Sequence, residues 1–365
     1  ADAGGGAEDE GQQEAALISL EGLNFDVLPE IDADIGFQGQ FVAYQDFRFD
    51  QLRFDLQLRD AIVVLDASGE GQYRDSPLTF EAHLGNAQTL DDPDARYPID
   101  VQIASEETRV SAAGSAAEPG RMAGLDVDLR LAGPNLDRLG EILQLSLPTT
   151  PPFDLQSRLS REENRWNFTS LSGTIGDSDI EGEAALVLGG ARPLLEAELS
   201  SKRLDFDDLG LLVGAPADPE ETVSVDQERA AAEAAASRGV LPDEPFDVPE
   251  LRAMDARVAY RARQVQASKL PLEGVVLDLT LEDGRMTFEP LRFDLADGVL
   301  DSVIRLDGRT DVLAGELELA VRNIRLNRLF AAFDIEIAGI EMEQEGVGTF
   351  AGQAALEVRG NSIRE

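Results

Sequence analysis

Apolar and polar residues alternate along most of this chain, most regularly between Leu277 and Arg309. In that stretch Leu277, Leu279 and Leu281 form one apolar set, and Met286 and Phe288 a second. Leu291, Phe293 and Leu295 form a third, Ile304 and Leu306 a fourth. The breaks fall at Asp283-Gly284, Pro290, Asp297-Gly298 and Asp307-Gly308. A period of two punctuated by Asp-Gly pairs predicts consecutive antiparallel strands joined by tight hairpins, each with one apolar and one wet face. A helix is excluded, because these glycines and the proline would fall inside it.

The same period recurs elsewhere. From Phe47 to Asp60 it places Leu52, Phe54, Leu56 and Leu58 on one face. It returns at Val127, Leu129 and Leu131, at Leu186 and Leu188, and at Leu317 and Leu319. If the sheet curls into an open trough, these residues, with Leu279, Leu281, Met286, Phe288, Leu291, Phe293 and Leu295, are the candidate lining. Such a trough could hold acyl chains, at about 0.8 kcal/mol gained per methylene buried. A closed sandwich or barrel accounts for the same alternation without a ligand, and periodicity alone favours it.

Three stretches change period. Leucine spacing predicts short helices near residues 135–145 (capped by Asn135), 204–213 and 324–333. Each follows an alternating strand and a polar break, as in "LDVDLRLAGPNLDRL", "LEAELSSKRLDFDDL" and "LELAVRNIRLNRL". A looser echo links "LPEIDADI" at Leu28 with "VPELRAMDARV" at Val248. Residues 1–14 lack periodicity and read as a disordered leader. The expected organisation is a first β-rich module over 15–216, an acidic, alanine-rich linker or solvated helix over 217–240, and a second β-rich module over 241–365.

Composition narrows the chemistry. The 365 residues carry 71 acidic against 31 basic side chains, a formal net charge of -40. That balance repels nucleic-acid backbones and anionic headgroups, so nucleic acid is excluded as a partner. The acids are spread over nearly every strand, as expected of a wet face adapted to a salty medium that screens their repulsion. Cysteine is absent, which removes disulfides, thiol nucleophiles and thiolate metal sites. No run matches a transmembrane span or signal core, and the chain reads as a processed or truncated piece.

Catalysis finds little support. His83, the single histidine, sits in "LTFEAHLG" on the polar side of its strand and reads as an exposed strand residue. Asp177, Asp179, Glu181 and Glu183 lie two apart on one strand face, where they could attract a cation; runs of this kind also arise freely in so acidic a chain. Trp166 and Phe168 point the same way and read as packing. No cofactor is expected, and the chain reads as a non-enzyme.

The segments "LEDGRMTFEPLRFDLADGVLDSVIRLDGR" and "GELELAVRNIRLNRLF" resemble the C-terminal region of AsmA-family envelope proteins. So does "NRWNFTSLSGTIGDSDIEGEAALVLGGARPLLEAELSSKRLDFDDLGLLVG", through Trp166, the Gly176-Asp177-Ser178-Asp179 turn, Gly182 and Arg192-Pro193. The resemblance implies a mostly β fold: a long, curved, open, taco-like antiparallel sheet of repeated β modules with a few short helices. It makes Gly176, Asp177, Asp179, Gly182 and Pro193 structural turn formers. It also implies a periplasmic location, an inner-membrane anchor absent from this fragment, and phospholipid or another acyl-chain lipid as ligand. Envelope proteins are the further partners it implies, and an assembly module without lipid conduction is the alternative.

Overall fold

The computed structural model describes residues 32–44, 47–59, 62–73, 76–86, 89, 96–118, 122–136, 150–205, 208, 250–267, 272–310, 312–328 and 348–359. Eighteen β-strands form one sheet. At one edge β1 (Ala33–Gly39) and β2 (Val42–Tyr44) pair end to end with β3 (Phe47–Arg59), so the two share a single position. There follow, in chain order, β4 (Ile62–Tyr73), β5 (Ser76–Leu84), β6 (Tyr97–Ser105), β7 (Thr108–Ala116), β8 (Asp126–Gly133) and β9 (Phe153–Glu162). Next are β10 (Arg165–Ile175), β11 (Ser178–Val187), β12 (Leu194–Asp205), β13 (Asp255–Gln266) and β14 (Leu272–Glu282). The sheet ends with β15 (Arg285–Leu295), β16 (Gly298–Asp307), β17 (Ala314–Arg325) and β18 (Thr349–Arg359).

From β3 onward each strand pairs with its chain neighbour, antiparallel everywhere except between β12 and β13, which run parallel. Seventeen positions spaced about 4.8 Å apart make a ribbon roughly 75 Å long in the hydrogen-bonding direction. Among the described residues nothing pairs β18 with β1 or β2, so the sheet is open. The closed sandwich or barrel that periodicity alone favours is not formed. Among the described residues the ladder instead runs unbroken from the β1–β2 position to β18, with no break into two sheets.

Local sequence explains the hairpins. Asp283 and Gly284 (φ 50° and 73°) make the two-residue turn between β14 and β15, and Ala296 and Asp297 (φ 47° and 59°) the next one. Positive φ at both central positions gives the turn whose twist matches the flanking strands. The second turn thus lies one residue before the expected Asp-Gly pair, and Gly298 opens β16. Pro290 does not divide its strand: the register shifts between Phe288 and Leu291, and this bulge absorbs a residue that has no N–H to donate.

Strands β10, β11 and β12 recur, residue for residue, as β15, β16 and β17. Positions 165, 178 and 194 become 285, 298 and 314, a shift of 120 residues. The bulge between Phe168 and Leu171 recurs with the same shift between Phe288 and Leu291. Two of the three short echoes, those that follow β12 and β17, are the tails of these units; the first follows β8. The looser echo near Leu28 lies partly outside the described residues, as do the leader, the candidate strand at Ala16 to Leu20 and the 217–240 segment.

Strands β8, β12 and β17 run in the same direction, and the chain turns helical just beyond each, at Leu136, Asp208 and Leu326 to Arg328. The remainder of each expected helix is outside the described residues. Where leucine spacing predicts a helix from Leu204, β12 instead continues through Asp205. Burial is the reason: Leu204 is packed with Ala262 and Val275 between strands. Asn135 is buried, and its side-chain oxygen accepts from the Thr150 N–H at 2.9 Å, while the Leu136 N–H donates to Thr150 Oγ1 at 3.1 Å.

Asp208 ties the end of β12 back to the β10–β11 turn. Its carboxylate accepts from the Asp177 N–H (3.0 Å), the Ser178 N–H (2.9 Å) and Ser178 Oγ (2.6 Å). At the equivalent place 120 residues on, Arg328 donates instead, to Asp297 at 3.0 Å and Glu273 at 2.9 Å. Burial, reinforced by Asp205, pushes the Asp208 carboxyl up to about 6 against the donors that favour its charged form. Folded chains therefore hold this proton to higher pH than unfolded ones, whose carboxyl titrates near ~4. Stability should fall as pH rises from that value through about 6. Denaturant melts of Asp208→Asn across that window should show a shallower fall than the parent; parallel curves would remove Asp208 as the cause.

Candidate functional site: the apolar face of the sheet

Following the ladder one partner at a time gives a row of seventeen residues, one from each position. From the first edge it reads Ile35, Leu56, Leu65, Leu84, Ile99, Gly114, Val127, Leu159 and Phe168. It continues through Ala184, Ala197, Val258, Leu279, Phe288, Ile304, Leu317 and Leu356. No polar side chain interrupts it. Directly opposed residues share a face, so this row establishes one apolar face across the whole sheet, including the parallel joint at Ala197 and Val258.

Every candidate lining residue lies on this face or at its margin. Leu52, Phe54, Leu56 and Leu58 come from β3; Val127, Leu129 and Leu131 from β8; and Leu186 from β11. Leu279 and Leu281 come from β14, Met286, Phe288, Leu291, Phe293 and Leu295 from β15, and Leu317 and Leu319 from β17. Leu188 lies just past β11, its N–H bonded to the Asn164 carbonyl at 2.9 Å. The candidate lining leaves out, among others, the parts of the face contributed by β4, β7 and β13. Their alternation is blunted by Ala67, Gly69, Ala112, Gly114 and Ala256, small residues that score weakly as a stripe.

The face is not a filled core. Val127, Leu129, Leu58, Leu186, Leu281 and Leu295 are buried, but Leu56, Leu65, Leu159, Leu279, Phe288, Ile304 and Leu317 keep part of their surface accessible. Buried clusters join neighbouring strands: Ala116, Leu125 and Val127 with Trp166 packed against them, and Leu295, Ala296 and Ile324. Trp166 also carries the Arg161 guanidinium 4.9 Å above its ring. Glycines allow tight approach of strands here. A Cβ at Gly173 would lie 2.0 Å from the Asp154 carbonyl oxygen of β9, and one at Gly182 would lie 2.1 Å from that of Glu198 on β12. At both positions glycine is what lets the neighbouring backbone come this close.

The opposite face carries charged, paired side chains, although Ile62 and Val64 of β4 are buried on it. Arg158 forks onto Asp126 (2.6 and 2.7 Å), and its hydrogen bonds hold that carboxyl below its ordinary value. Glu196 is held low by Arg165 at 2.6 Å and by Arg257 at 3.4 Å. Arg309 beside Asp307 keeps that carboxyl well below the usual carboxylate range. His83 is exposed and meets Asp66 at 2.6 Å; this bond raises its pKa, with Asp100 and Glu81 adding to the effect. Surface pairs of this kind add little stability singly, but they neutralise part of the crowding between acids.

Two carboxylates of the acidic run at β11, those of Asp179 and Glu181, are engaged by the protein itself. Burial pushes the Asp179 carboxyl up, but backbone N–H bonds from Arg203 (2.6 Å) and Lys202 (3.1 Å) outweigh it and leave it low. Glu181 pairs with the Lys202 ammonium at 3.0 Å, and the Asp177 carbonyl accepts from Arg203 at 2.8 Å. The Pro193 carbonyl accepts from the Asp255 N–H at 2.8 Å, beside an Arg192 fork onto Asp255 and Asp283. Among the described residues no group of three or more His, Cys, Asp or Glu could hold a metal ion, and no helix is long and apolar enough to cross a membrane.

Comparison with known proteins places this architecture. No solved structure matches the chain. The chain is similar to "AsmA family protein YhjG" of Escherichia coli (strain K12), with 28% identity over 308 residues, covering 82% of this chain and 44% of that relative. The chain thus spans less than half the length of this curated relative. The profile of the AsmA family matches residues 14–339, nearly the whole ladder, and the chain belongs to that family.

Proposed function

We propose that this chain is a non-enzymatic, lipid-binding segment of a periplasmic envelope protein, anchored in the inner membrane by a part outside these residues. Its apolar face holds acyl chains of phospholipid or a similar lipid, contributing to phospholipid transport or outer-membrane homeostasis. The observation that carries this reading is the uninterrupted apolar row, open at both edges and partly accessible along its length. A closed core needs no ligand, whereas an accessible apolar strip of this extent asks for an apolar occupant. An acyl chain laid on it gains about 0.8 kcal/mol per buried methylene. The polar face, acidic and ion-paired, keeps the outside wet and turns anionic headgroups away from it.

Mass spectrometry of the chain purified without detergent tests this. Expected is stoichiometric phospholipid that survives gel filtration. Protein that is repeatedly lipid-free, and that fails to take up lipid from vesicles, would leave the assembly-module reading in its place.

A further inference from the structure

A single cation stands at the rim of the apolar face. Beside the central apolar row, one step nearer the β9–β10 turn, a second row of paired residues crosses the sheet. It runs from Arg161 and Trp166 through Leu186, Leu195 and Ala256 to Val358. Period two puts both rows on the same face. Arg161 is the one charged member of either row. Pairing of β9 with β8 reaches only Ser160, and the Arg161 N–H donates to the Leu125 carbonyl at 3.4 Å, where β8 has yet to begin.

The side chain is held in place. Its guanidinium lies 4.9 Å above the Trp166 ring, and Nε donates to the Glu163 carbonyl at 2.7 Å. Trp166 is in turn packed against the buried Ala116, Leu125 and Val127. Both side chains stay partly accessible. Stacking and the turn hydrogen bond fix the guanidinium plane, which lowers the ordering cost of binding a further group. Arg158 and Arg165, the nearest arginines in sequence, balance Asp126 and Glu196 on the wet face. Arg161 instead borders Leu159 and Phe168, where low polarity strengthens a charge-assisted hydrogen bond.

We infer that Arg161, stacked on Trp166, receives the phosphate of a lipid whose acyl chains lie along the apolar face. This rests on the lipid-binding reading above and adds the end at which the headgroup sits. A planar guanidinium matches phosphate oxygens in a bidentate fork. An amphiphile needs its charge and its chains met by adjoining surfaces. Here the cation adjoins an apolar strip that leads away from the rim through Leu159, Phe168, Leu155 and Leu171. The net charge of -40 disfavours a phosphate over most of the remaining surface.

Trp166 is the single tryptophan of the chain, so its emission reports on this site directly. The parent is loaded with phosphatidylglycerol, whose one charge is the phosphodiester, brominated either near the glycerol or near the methyl end of its acyl chains. Bromine near the glycerol should quench Trp166 more strongly; equal or stronger quenching from the methyl end would overturn the placement. Inorganic phosphate alone, which brings no chains, should leave the emission unchanged. An equal response to it would assign the site to a free anion and overturn the lipid assignment. Vesicles holding phosphatidylglycerol and diacylglycerol with the same chains are then offered, and the lipid retained after gel filtration is measured by mass spectrometry. The parent should enrich phosphatidylglycerol about tenfold over the vesicle ratio, and Arg161→Gln should lose that enrichment while still retaining lipid. Arg130→Gln, which removes the same charge from an exposed wet-face position of β8, should behave as the parent. No enrichment by the parent, enrichment kept by Arg161→Gln, or equal loss in both variants would overturn the headgroup site and leave the acyl-binding reading standing. A parent that retains neither lipid overturns both.

Discussion

Replacing Gly182 by alanine is expected to cost about 3 kcal/mol or more of folding stability, measured by urea unfolding. Gly182 has φ 151°, a region closed to side-chain-bearing residues, and its missing Cβ would lie 2.1 Å from the Glu198 carbonyl oxygen. The strained backbone alone accounts for about 1–3 kcal/mol, and the collision with a neighbouring strand, which cannot swing aside as a side chain could, adds about 1–3 kcal/mol. The same position one repeat later is Ser302, which is buried but lacks that backbone constraint. Ser302→Ala should therefore cost far less. If Gly182→Ala unfolded at the parent's urea midpoint, the close approach to β12 would not depend on glycine.

The second large effect concerns binding. Leu279→Glu places a carboxylate in the middle of the apolar row, between Val258 and Phe288. Acyl chains crossing that point would have to desolvate the charge or leave, so captured lipid should fall to the level of a protein-free control. Thr280→Glu, one residue away on the exposed wet face opposite Arg257, should bind lipid like the parent. Because Leu279 is only partly buried, the variant should keep its circular dichroism spectrum and a cooperative melt. Equal lipid capture by both variants would refute the apolar face as the binding surface.

These two expectations meet on the same surface. Gly173 and Gly182 let β10 and β11 approach β9 and β12 closely, and the apolar row crosses the same strands through Phe168, Ala184 and Ala197. Comparison of the repeats shows how the face varies while the backbone register holds. Trp166, Gly173, Ala184 and Ala197 become Met286, Phe293, Ile304 and Leu317 after 120 residues. Side chains are larger in the later unit at every one of these positions but the first. The strand bounds are unchanged because hydrogen bonding and hairpin closure set them, not side-chain volume.

Much of this was legible in the chain. Leu52 to Leu58 and Leu277 to Leu281 announce strands with one apolar face, since a period of two admits no other regular structure. Asp283-Gly284 announces its hairpin, because a non-glycine followed by glycine at positive φ is what that turn requires. The polar placement of His83 beside Glu81 followed from counting alternate residues. Pro290 misled for a local reason: proline does break a ladder bond, but a bulge can absorb the loss. Leu204 misled because helical spacing at Leu204 and Leu209 was read without the strand neighbours, Ala262 and Val275, that bury it.

The sequence by itself determined that the chain is a series of antiparallel strands with one dry side, one acidic side and no histidine or cysteine chemistry. Those properties are local: each depends on residues within a few positions of one another. Whether the series closes, where its one parallel joint falls, and whether seventeen separate apolar stripes merge into one row depend on partners far apart in the chain. Only the tertiary structure decided those points. Period-two alternation is the same in a barrel, a sandwich and an open ribbon, and what separates them is whether β18 finds β1.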